Sequence, residues 1–477
     1  MSNDPLDLDA VGQAALVVAK KISPRELVDA AIARIEAGDG AINAVTQRLF
    51  DDARAAAESD RHHGPFRGVP FLLKDFYCHM AGTATTGSAR LLKDNVIDHD
   101  SELMRRYRAA GLITVGKTNT PELVSMGTTE PSWRGATHNP WNLDHTPGGS
   151  SGGAAAAVAA GFVAMAHAND GAGSTRIPAA CCGLFGLKPS RGRITLGPDV
   201  GESIGGITAE HVVTRSVRDS AALLDATSGG LPGDPYVAEP PRQGFLAATR
   251  QPPKRLRIAV SETPLYAAKM DAECVAAVRR TAKLCADLGH DVVEARPKVD
   301  GDAFRAAVET FWPMTVTRAL SVLAVQRNCT AASLAAELEP FNQYLFEQGS
   351  RRSAIQYLAD LSFFQAVTRT FGQFFTDHDV WLTPTLAFVP PRLGYFDAAR
   401  LGGAEAYRRV IDSFAFTVPA NVAGLPSTSL PLATSASGLP IGIQITGRLN
   451  DEETLFALSA QLEQAAPWTG LAPRAAA

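Results

Sequence analysis

Three serines stand among glycines in one stretch of the chain, a setting in which a hydroxyl group can act as a nucleophile. Residues 147–189 contain Ser150, Ser151 and Ser174 among many small residues and few charges. Glycine loses more backbone freedom on folding than other residues, so a glycine-rich segment usually serves a tight turn or a close approach of the backbone to a ligand. The segment therefore predicts a catalytic centre. A serine hydroxyl is a weak nucleophile until a neighbouring base removes its proton, so a base must join it.

Lys74 is the candidate base that its position suggests. It follows the apolar run 69–73 and precedes Asp75, which is typical of a buried strand that ends in two charges. Burial disfavours the ammonium form and lowers the pKa of a lysine toward the working pH. The same residues also fit a structural lysine paired with Asp75. His167 lies near the serines in sequence, but no metal-ligand spacing accompanies it, and we predict a partly buried structural histidine.

Two other interpretations of the glycines are disfavoured by their surroundings. Gly171 and Gly173 begin a dinucleotide-binding fingerprint, but Arg176 occupies its third glycine position and no phosphate-loop motif occurs. Residues 148–152 fit the G-x-S-x-G pattern of a nucleophile elbow, which requires a strand just before it. Residues 139–147 instead hold two prolines and several turn formers. We therefore expect neither a nucleotide site nor a nucleophile elbow.

Helical and strand patterns alternate along the chain, as an α/β architecture requires. The N-terminal residues 6–63 are predicted to be helical, and a capping serine, a proline and a glutamate at 23–26 mark one helix start. The alanine-rich run 154–166 is too short to cross a membrane and is predicted to be a buried helix. Further helices are predicted at 100–111, 271–288 and most of 302–376, and strands at 69–73, 112–115, 256–260, 291–294, 380–383, 427–432 and 440–445.

Composition narrows the class of protein. The chain has 477 residues with 45 Lys+Arg against 49 Asp+Glu, a net charge of -4 without basic clusters, which disfavours a nucleic-acid partner. Its 6 cysteines show no C-x-x-C spacing, and the N-terminus lacks the basic and apolar parts of a secretion signal. We therefore predict a cytoplasmic protein with neither a nucleic-acid nor a membrane partner.

Residues 229–253, rich in glycine and proline, form the one clear break in composition. We interpret them as a long surface connection, because strands of similar character lie on both sides and no internal repeat is visible. A single domain over 1–477 is predicted. It would comprise an N-terminal helical segment at 1–65, a core at 66–228, and a helical pocket-shaping region with C-terminal strands at 254–477.

Several long motifs together cover nearly the whole chain. They are GVPFLLKD at 68–75, GKTNTPE at 116–122, NPW at 139–141, PGGSSGG at 147–153, DGAGSTRIP at 170–178, CGLFGLKP at 182–189, PANVAGLP at 419–426 and GLPIGIQITG at 438–447. In type and order they resemble the motifs of the amidase signature family. The resemblance implies an α/β fold with a large, mixed, twisted β-sheet flanked by helices on both faces. It also implies hydrolysis of a small amide without a metal or cofactor.

The resemblance also implies roles for single residues. Ser174 would be the nucleophile, Ser150 the bridging serine after a cis peptide bond, and Lys74 the base. The backbone N–H groups of residues 171–174, which are Gly171, Ala172, Gly173 and Ser174, would form the oxyanion hole. Ala172 departs from the glycine that much of the family has there, but alanine still offers its N–H. With HANDGAGSTRIPA and FTVPANVAGLP, it makes the chain most similar to the branch of 6-aminohexanoate cyclic-dimer hydrolases.

Other residues of these motifs have structural interpretations. Asp170 and Arg176 flank the nucleophile, and we expect an ion pair or hydrogen bonds that fix the loop. Cys181 and Cys182 are expected to be small core residues rather than nucleophiles. The pocket is predicted to be shaped by residues 302–376 and 125–133, where no motif names a ligand.

Three alternatives stay open at this point. One is the amidase component of an amidotransferase, which would work with partner chains; another is an esterase of the same fold. The third is a binding protein that retains the fold without activity. The sequence leaves room for a homodimer and identifies neither the amide substrate nor a preference for linear or cyclic amides.

Overall fold

One mixed sheet of 11 strands runs through the part of the molecule that the computed structural model describes, residues 4–59 and 63–473. The strand order is β1-β3-β2-β4-β6-β5-β10-β11-β9-β7-β8. Parallel pairs join β2 to β3 and β4, and β7 to β8 and β9; the other pairs are antiparallel. The large mixed sheet that we predicted is confirmed. The strands are β1 Val45–Arg48, β2 Pro70–Lys74, β3 Ile113–Thr118, β4 Met165–Asp170, β5 Phe185–Lys188, β6 Ala209–Thr214, β7 Arg257–Val260, β8 Asp291–Glu294, β9 Val380–Pro384, β10 Ser427–Thr434 and β11 Pro440–Gly447.

Helices pack on both faces of this sheet. Successive side chains of a strand point to opposite faces, and Leu72 of β2 belongs to one apolar cluster while Phe71 and Leu73 belong to another. The helices are α1 Ala10–Val18, α2 Pro24–Ile42, α3 Phe50–Ala57, α4 Glu102–Ala109, α5 Gly152–Ala159, α6 Arg176–Cys182, α7 Val217–Thr227, α8 Phe245–Ala248, α9 Ala272–Asp287, α10 Gly301–Phe311, α11 Pro313–Arg327, α12 Ala331–Ala335, α13 Pro340–Ser350, α14 Ala354–Asp377, α15 Ala398–Leu401, α16 Gly403–Ser413, α17 Val418–Val422 and α18 Glu452–Ala465. Helices α2, α5, α10 and α14 contribute to the cluster that contains Leu72, whereas α4, α7, α9 and α18 contribute to the other. Among the described residues, no helix is long and apolar enough to span a membrane.

The N-terminal prediction of helices alone was wrong at one point. The capping box of Ser23 and Glu26 starts α2 as expected. The helix ends where Asn43 adopts a left-handed conformation with φ of 56°, and the chain continues as β1. Because β1 forms by pairing with β3, with Val45 opposite Thr118, its partner lies far along the sequence and local periodicity could not indicate it. Residues 60–62 of the predicted helical region lie outside the described residues.

The alanine-rich run 154–166 is not one buried helix. Helix α5 ends at Ala159, Gly161 follows with φ of 75°, and β4 begins at Met165. Glycine reaches this left-handed conformation without the steric cost of a Cβ atom, so Gly161 turns the chain after the helix. A run of small apolar residues shows no period that would separate a helix from a buried strand.

The pairing of β2 with β4 brings the predicted site residues together. The two strands are parallel neighbours with Leu72 opposite Ala166, so their carboxyl ends lie at the same edge of the sheet. Lys74 is the last residue of β2, and Asp170 is the last residue of β4. Ligand sites in open α/β sheets commonly lie outside the carboxyl ends of strands. The loop after β4, which carries Ser174, therefore begins next to Lys74.

Candidate active site

The amine of Lys74 lies buried among three hydrogen-bonding side chains. Its Nζ is 2.8 Å from Ser150 Oγ, 2.9 Å from Ser151 Oγ and 2.6 Å from Asn169 Oδ1. Burial lowers the pKa of Lys74 to about 7, although the negative charges of Glu210 and Asp170 act in the opposite direction. A large fraction of the lysine is therefore neutral near neutral pH, as a base requires.

The three contacts limit how a neutral Lys74 can bond. A neutral amine has two N–H groups and one lone pair, and Asn169 Oδ1 can only accept a hydrogen bond. One N–H donates to Asn169, so one N–H and the lone pair face the two serine hydroxyls. The lone pair can then accept the proton of one serine while the remaining N–H donates to the other. This arrangement gives Lys74 the geometry of a base toward a serine.

Ser150 is placed by the turn that precedes α5. The peptide bond between Gly149 and Ser150 is cis, which confirms the expectation drawn from the family resemblance. Gly149 packs against the backbone of Thr128, and a Cβ atom at position 149 would lie 2.3 Å from the Thr128 carbonyl oxygen. Only glycine therefore allows this close approach. The turn directs the Ser150 hydroxyl to Lys74, and no strand precedes it, in agreement with the rejection of a nucleophile elbow.

Ser174 lies in the loop between β4 and α6, with 7% of its surface exposed. The backbone N–H of Ser151 donates to the Ser174 carbonyl at 3.3 Å, so the two serine segments are in contact. Within residues 4–59 and 63–473, no hydrogen bond joins the hydroxyls of Ser150 and Ser174. The structure thus brings Lys74 and Ser150 together directly, whereas the second step of the relay stays a prediction.

The loop before Ser174 presents free backbone donors. The Gly173 N–H donates to Asp170 Oδ1 at 2.6 Å and is already occupied. The N–H groups of Gly171, Ala172 and Ser174 make no hydrogen bond in the described part of the chain. Of the four predicted oxyanion donors, the Gly173 N–H therefore serves the loop, whereas the other three have no hydrogen-bond partner among the described residues.

A buried ion pair fixes this loop, as predicted for Asp170 and Arg176. Arg176 donates through Nε and a terminal nitrogen to the two Asp170 oxygens, each at 2.9 Å, and both side chains are fully buried. Asn421 Nδ2 also donates to Asp170 at 2.9 Å, and Arg176 donates to Gln444 Oε1 at 2.9 Å. Burial opposes ionisation of Asp170, but the Arg176 guanidinium outweighs it and holds the pKa of the carboxyl well below its usual range.

We expect the Asp170→Asn variant to lose about 3–5 kcal/mol of unfolding free energy, because Arg176 would keep a buried charge without its counter-charge. A urea titration followed by far-UV circular dichroism measures the loss. Asp144→Asn is the matched control, since Asp144 pairs with Arg392 at 2.9 Å but both side chains are largely exposed. An exposed pair contributes at most about 1 kcal/mol. Equal losses in the two variants would contradict the structural role of the buried pair.

His167 is more buried than predicted and contacts the backbone of Lys74. Its Nδ1 accepts the backbone N–H of Lys74 at 3.3 Å, so Nε2 carries the proton and donates to Glu210 at 2.6 Å. His167 is fully buried rather than partly buried, since the ladder of β4 and β6 encloses it. It contacts the backbone of Lys74 and not a serine hydroxyl, so its role is to hold β2.

Three side chains near Lys74 were given no role of their own from the sequence: Ser151, Asn169 and Glu210. Ser151 stands beside Ser150 in PGGSSGG, and Asn169 directly precedes DGAGSTRIP, so proximity to the motifs was the only available signal. Glu210 lies in β6, a strand that was not predicted, and gave no signal. Cys181 and Cys182 are buried core residues, as expected.

A cleft of about 300 Å³ adjoins the loop. A Cβ atom on Gly171 would lie 3.4 Å from Ile204 Cδ1, and Ile204 also lines the cleft. Helices α10, α11 and α14, which lie in the region that we predicted to shape the pocket, supply other lining residues. That substrate binds in this cleft stays a prediction. The lining residues are Glu202, Ile204, Gly205, Phe311, Met314, Thr315, Arg318 and Tyr357.

Comparison with known proteins places the chain among amidases. Residues 26–456 match the family model described as Amidase. The 6-aminohexanoate-cyclic-dimer hydrolase of Paenarthrobacter ureafaciens is 39% identical over 491 residues, which cover 99% of this chain and 98% of that protein. A solved structure of 6-aminohexanoate cyclic dimer hydrolase complexed with substrate has a TM-score of 0.92 at 36% identity, covering 98% of this chain and 99% of that one. A bacterial aryl acylamidase of the amidase signature enzymes has a TM-score of 0.89 at 28% identity, covering 98% of each chain.

Proposed function

The chain belongs to the amidase signature family, and we propose that it cleaves a small linear or cyclic amide through an acyl-serine intermediate. Hydrolases of this family act on carbon–nitrogen bonds other than peptide bonds. One observation carries the proposal: the buried Lys74 amine, with a pKa lowered to about 7, lies 2.8 Å from Ser150 Oγ. This contact gives the serines the base that they need.

The first half of the reaction forms the acyl-enzyme. Neutral Lys74 takes the hydroxyl proton of Ser150 as Ser150 takes that of Ser174, and Ser174 Oγ bonds to the amide carbon. The carbonyl oxygen gains negative charge and accepts hydrogen bonds from the free N–H groups of residues 171, 172 and 174. Each such donor is typically worth about 3 kcal/mol in the transition state.

The second half returns the proton and releases both products. As the carbon–nitrogen bond breaks, Lys74 gives its proton back through Ser150 to the leaving nitrogen, which departs as an amine. Water then attacks the acyl-serine ester with the relay again acting as base. The carbon–oxygen bond to Ser174 breaks, a carboxylic acid leaves, and Ser174 recovers its proton. Lys74 ends the cycle neutral, as it began.

The cleft supports an aliphatic amide as the substrate. Phe311, Met314 and Tyr357 offer apolar surface, and Glu202 and Arg318 offer charged groups. A chain of methylene groups that ends in a polar group matches this lining. The cyclic dimer named for the similar hydrolases has this chemistry, and we propose it, or a linear amide of similar length, as the substrate class.

Incubation of the purified protein with 6-aminohexanoate cyclic dimer, linear aliphatic amides and their matched esters tests the proposal. We expect release of amine from an amide, and a quenched reaction should show a peptide containing Ser174 with the mass of the acyl group added. Comparison of each amide with its ester separates an amidase from an esterase. Turnover of esters alone, or an acyl group on another residue, would contradict the proposal.

We also propose that the protein works in the cytoplasm without a nucleic-acid or membrane partner. A net charge of -4 supports this, and so do cysteines that are all free in the structure.

A further inference from the structure

Two histidines and an aspartate meet where the segment after β2 contacts the loop after β5. Asp199 Oδ1 lies 2.7 Å from His99 Nε2, and Asp199 Oδ2 lies 3.2 Å from His79 Nδ1. The candidate ligand atoms of these three residues all lie within 4.8 Å of one another. None of these three residues takes part in the amide chemistry proposed above.

The ring of His99 is held by a carboxylate on its second nitrogen, as in many metal-binding histidines. Asp98 Oδ1 accepts a hydrogen bond from His99 Nδ1 at 2.7 Å, which leaves His99 Nε2 to face Asp199. Metal-binding histidines commonly donate their second ring nitrogen to a carboxylate in this way, which fixes the tautomer and the ring. The two imidazole rings are 5.9 Å apart and nearly perpendicular, at 81°.

The surroundings of the His79 ring also fit a bound ion. Its Nδ1 is buried and makes no hydrogen bond with any described residue, although it lies 3.2 Å from Asp199 Oδ2. A buried polar atom without a hydrogen bond is rare and calls for an explanation such as an ion. Donor atoms bound to one tetrahedral zinc ion at about 2 Å lie about 3.3 Å from each other. His79 Nδ1 and Asp199 Oδ2 have nearly this separation, at 3.2 Å, and the whole set of ligand atoms spans at most 4.8 Å.

We propose that His79, His99 and Asp199 bind one divalent transition-metal ion such as Zn²⁺. Imidazole nitrogen and carboxylate oxygen suit zinc, and a water would complete a four-coordinate site. Asp98 is the positioning residue that orients His99. The ion would link the loop after β5 to the segment after β2. A hydrogen bond of 2.7 Å between the Tyr77 and Ser203 hydroxyls already connects these two segments.

The loop after β5, which carries Asp199, also forms part of the cleft wall. The residue after Ser203 is Ile204, which lines the cleft and lies beside Gly171. Metal binding would therefore order one wall of the substrate cleft without contact with the reacting atoms. This last step rests on the proposed function, but binding of the ion does not.

Zinc binding by the full chain, freed of any histidine tag and stripped with a chelator, tests the site. Isothermal titration with Zn²⁺ alone, together with metal analysis after dialysis, should give one ion per chain. Co²⁺ should give visible absorption bands of a low-coordinate site. His99→Ala and Asp199→Asn should remove binding, and Asp98→Asn, which keeps all three ligands, should weaken it by about 10- to 100-fold.

His138→Ala is the matched control, because His138 is also partly exposed but its ring bonds to the Leu143 carbonyl and to no other described residue. This variant should bind zinc normally. Thermal unfolding without zinc shows whether each variant is folded. If His99→Ala is not folded, the zinc affinity of Asp98→Asn tests the site instead. The alternative is an imidazolium ion of His99 between Asp98 and Asp199. No saturable zinc binding, or binding that Asp98→Asn and Asp199→Asn leave unchanged, would establish that ion pair and overturn the proposal. Loss of amide hydrolysis with intact zinc binding would count against the proposed function alone.

Discussion

Replacement of Ser174 by alanine is expected to abolish the acyl-enzyme and to lower kcat by about four to six orders of magnitude. The alanine has no oxygen to bond to the amide carbon, so the covalent route is closed. Binding in the cleft and the free N–H groups of the loop stay, and they account for residual catalysis. Single-turnover experiments with mass detection of the acyl group, beside steady-state kcat, measure both losses.

Three further serines make this prediction specific. Ser150→Ala should also slow acylation strongly, because it removes the hydroxyl that Lys74 contacts at 2.8 Å. Ser151→Ala removes a contact of similar length, 2.9 Å, and tests whether the lysine acts through one serine or both. Ser362→Ala is the inert control, since this exposed hydroxyl donates to the Leu358 carbonyl of its own helix and to nothing else in the described part of the chain. Turnover retained in Ser174→Ala would exclude Ser174 as the nucleophile.

Lys74→Met is expected to lower kcat/KM by about 10²- to 10⁴-fold and to remove its dependence on pH near neutrality. In the native protein the active form of Lys74 is neutral, and its pKa is lowered to about 7. Activity should therefore rise about tenfold per pH unit below this value, as the lysine loses its proton, and level off above it. Methionine fills a similar volume but cannot accept a proton.

Lys188→Met is the matched control for the loss of a buried lysine. Burial also lowers the pKa of Lys188 to about 7, but its Nζ donates to the Pro189 carbonyl at 2.7 Å and makes no hydrogen bond to Ser150, Ser151 or Ser174 within the described residues. This variant should keep the pH profile whatever its stability. A profile that is flat from about pH 6 to about pH 9 with chemistry rate-limiting, or one that persists in Lys74→Met, would exclude Lys74 as the base.

The fold could be predicted in part from the sequence. Strands with clear apolar runs between turn residues, such as β2, β3 and β9, lie where they were expected. Hydrophobic periodicity did not predict strands β1, β4, β5 and β6. Strand β1 is only 4 residues long, β4 is hidden in a run of small residues, and neither has a period of its own. Such strands form because a partner strand supplies their hydrogen bonds, and that partner is distant in sequence.

The candidate site, too, could be predicted only in part from the sequence. The resemblance of the motifs to the amidase signature family predicted that Lys74, Ser150 and Ser174 form one centre, and a serine nucleophile needs such a base. Tertiary structure decided how these groups are held. Asn169 meets Lys74 across 95 residues of chain, and Asn421 meets Asp170 across 251. It also decided that Gly173 N–H serves Asp170, and that Lys74 is buried enough to lose its proton near neutral pH. The physical reason is that desolvation and hydrogen bonding depend on which groups surround an atom, and those neighbours come from strands that only the sheet brings together.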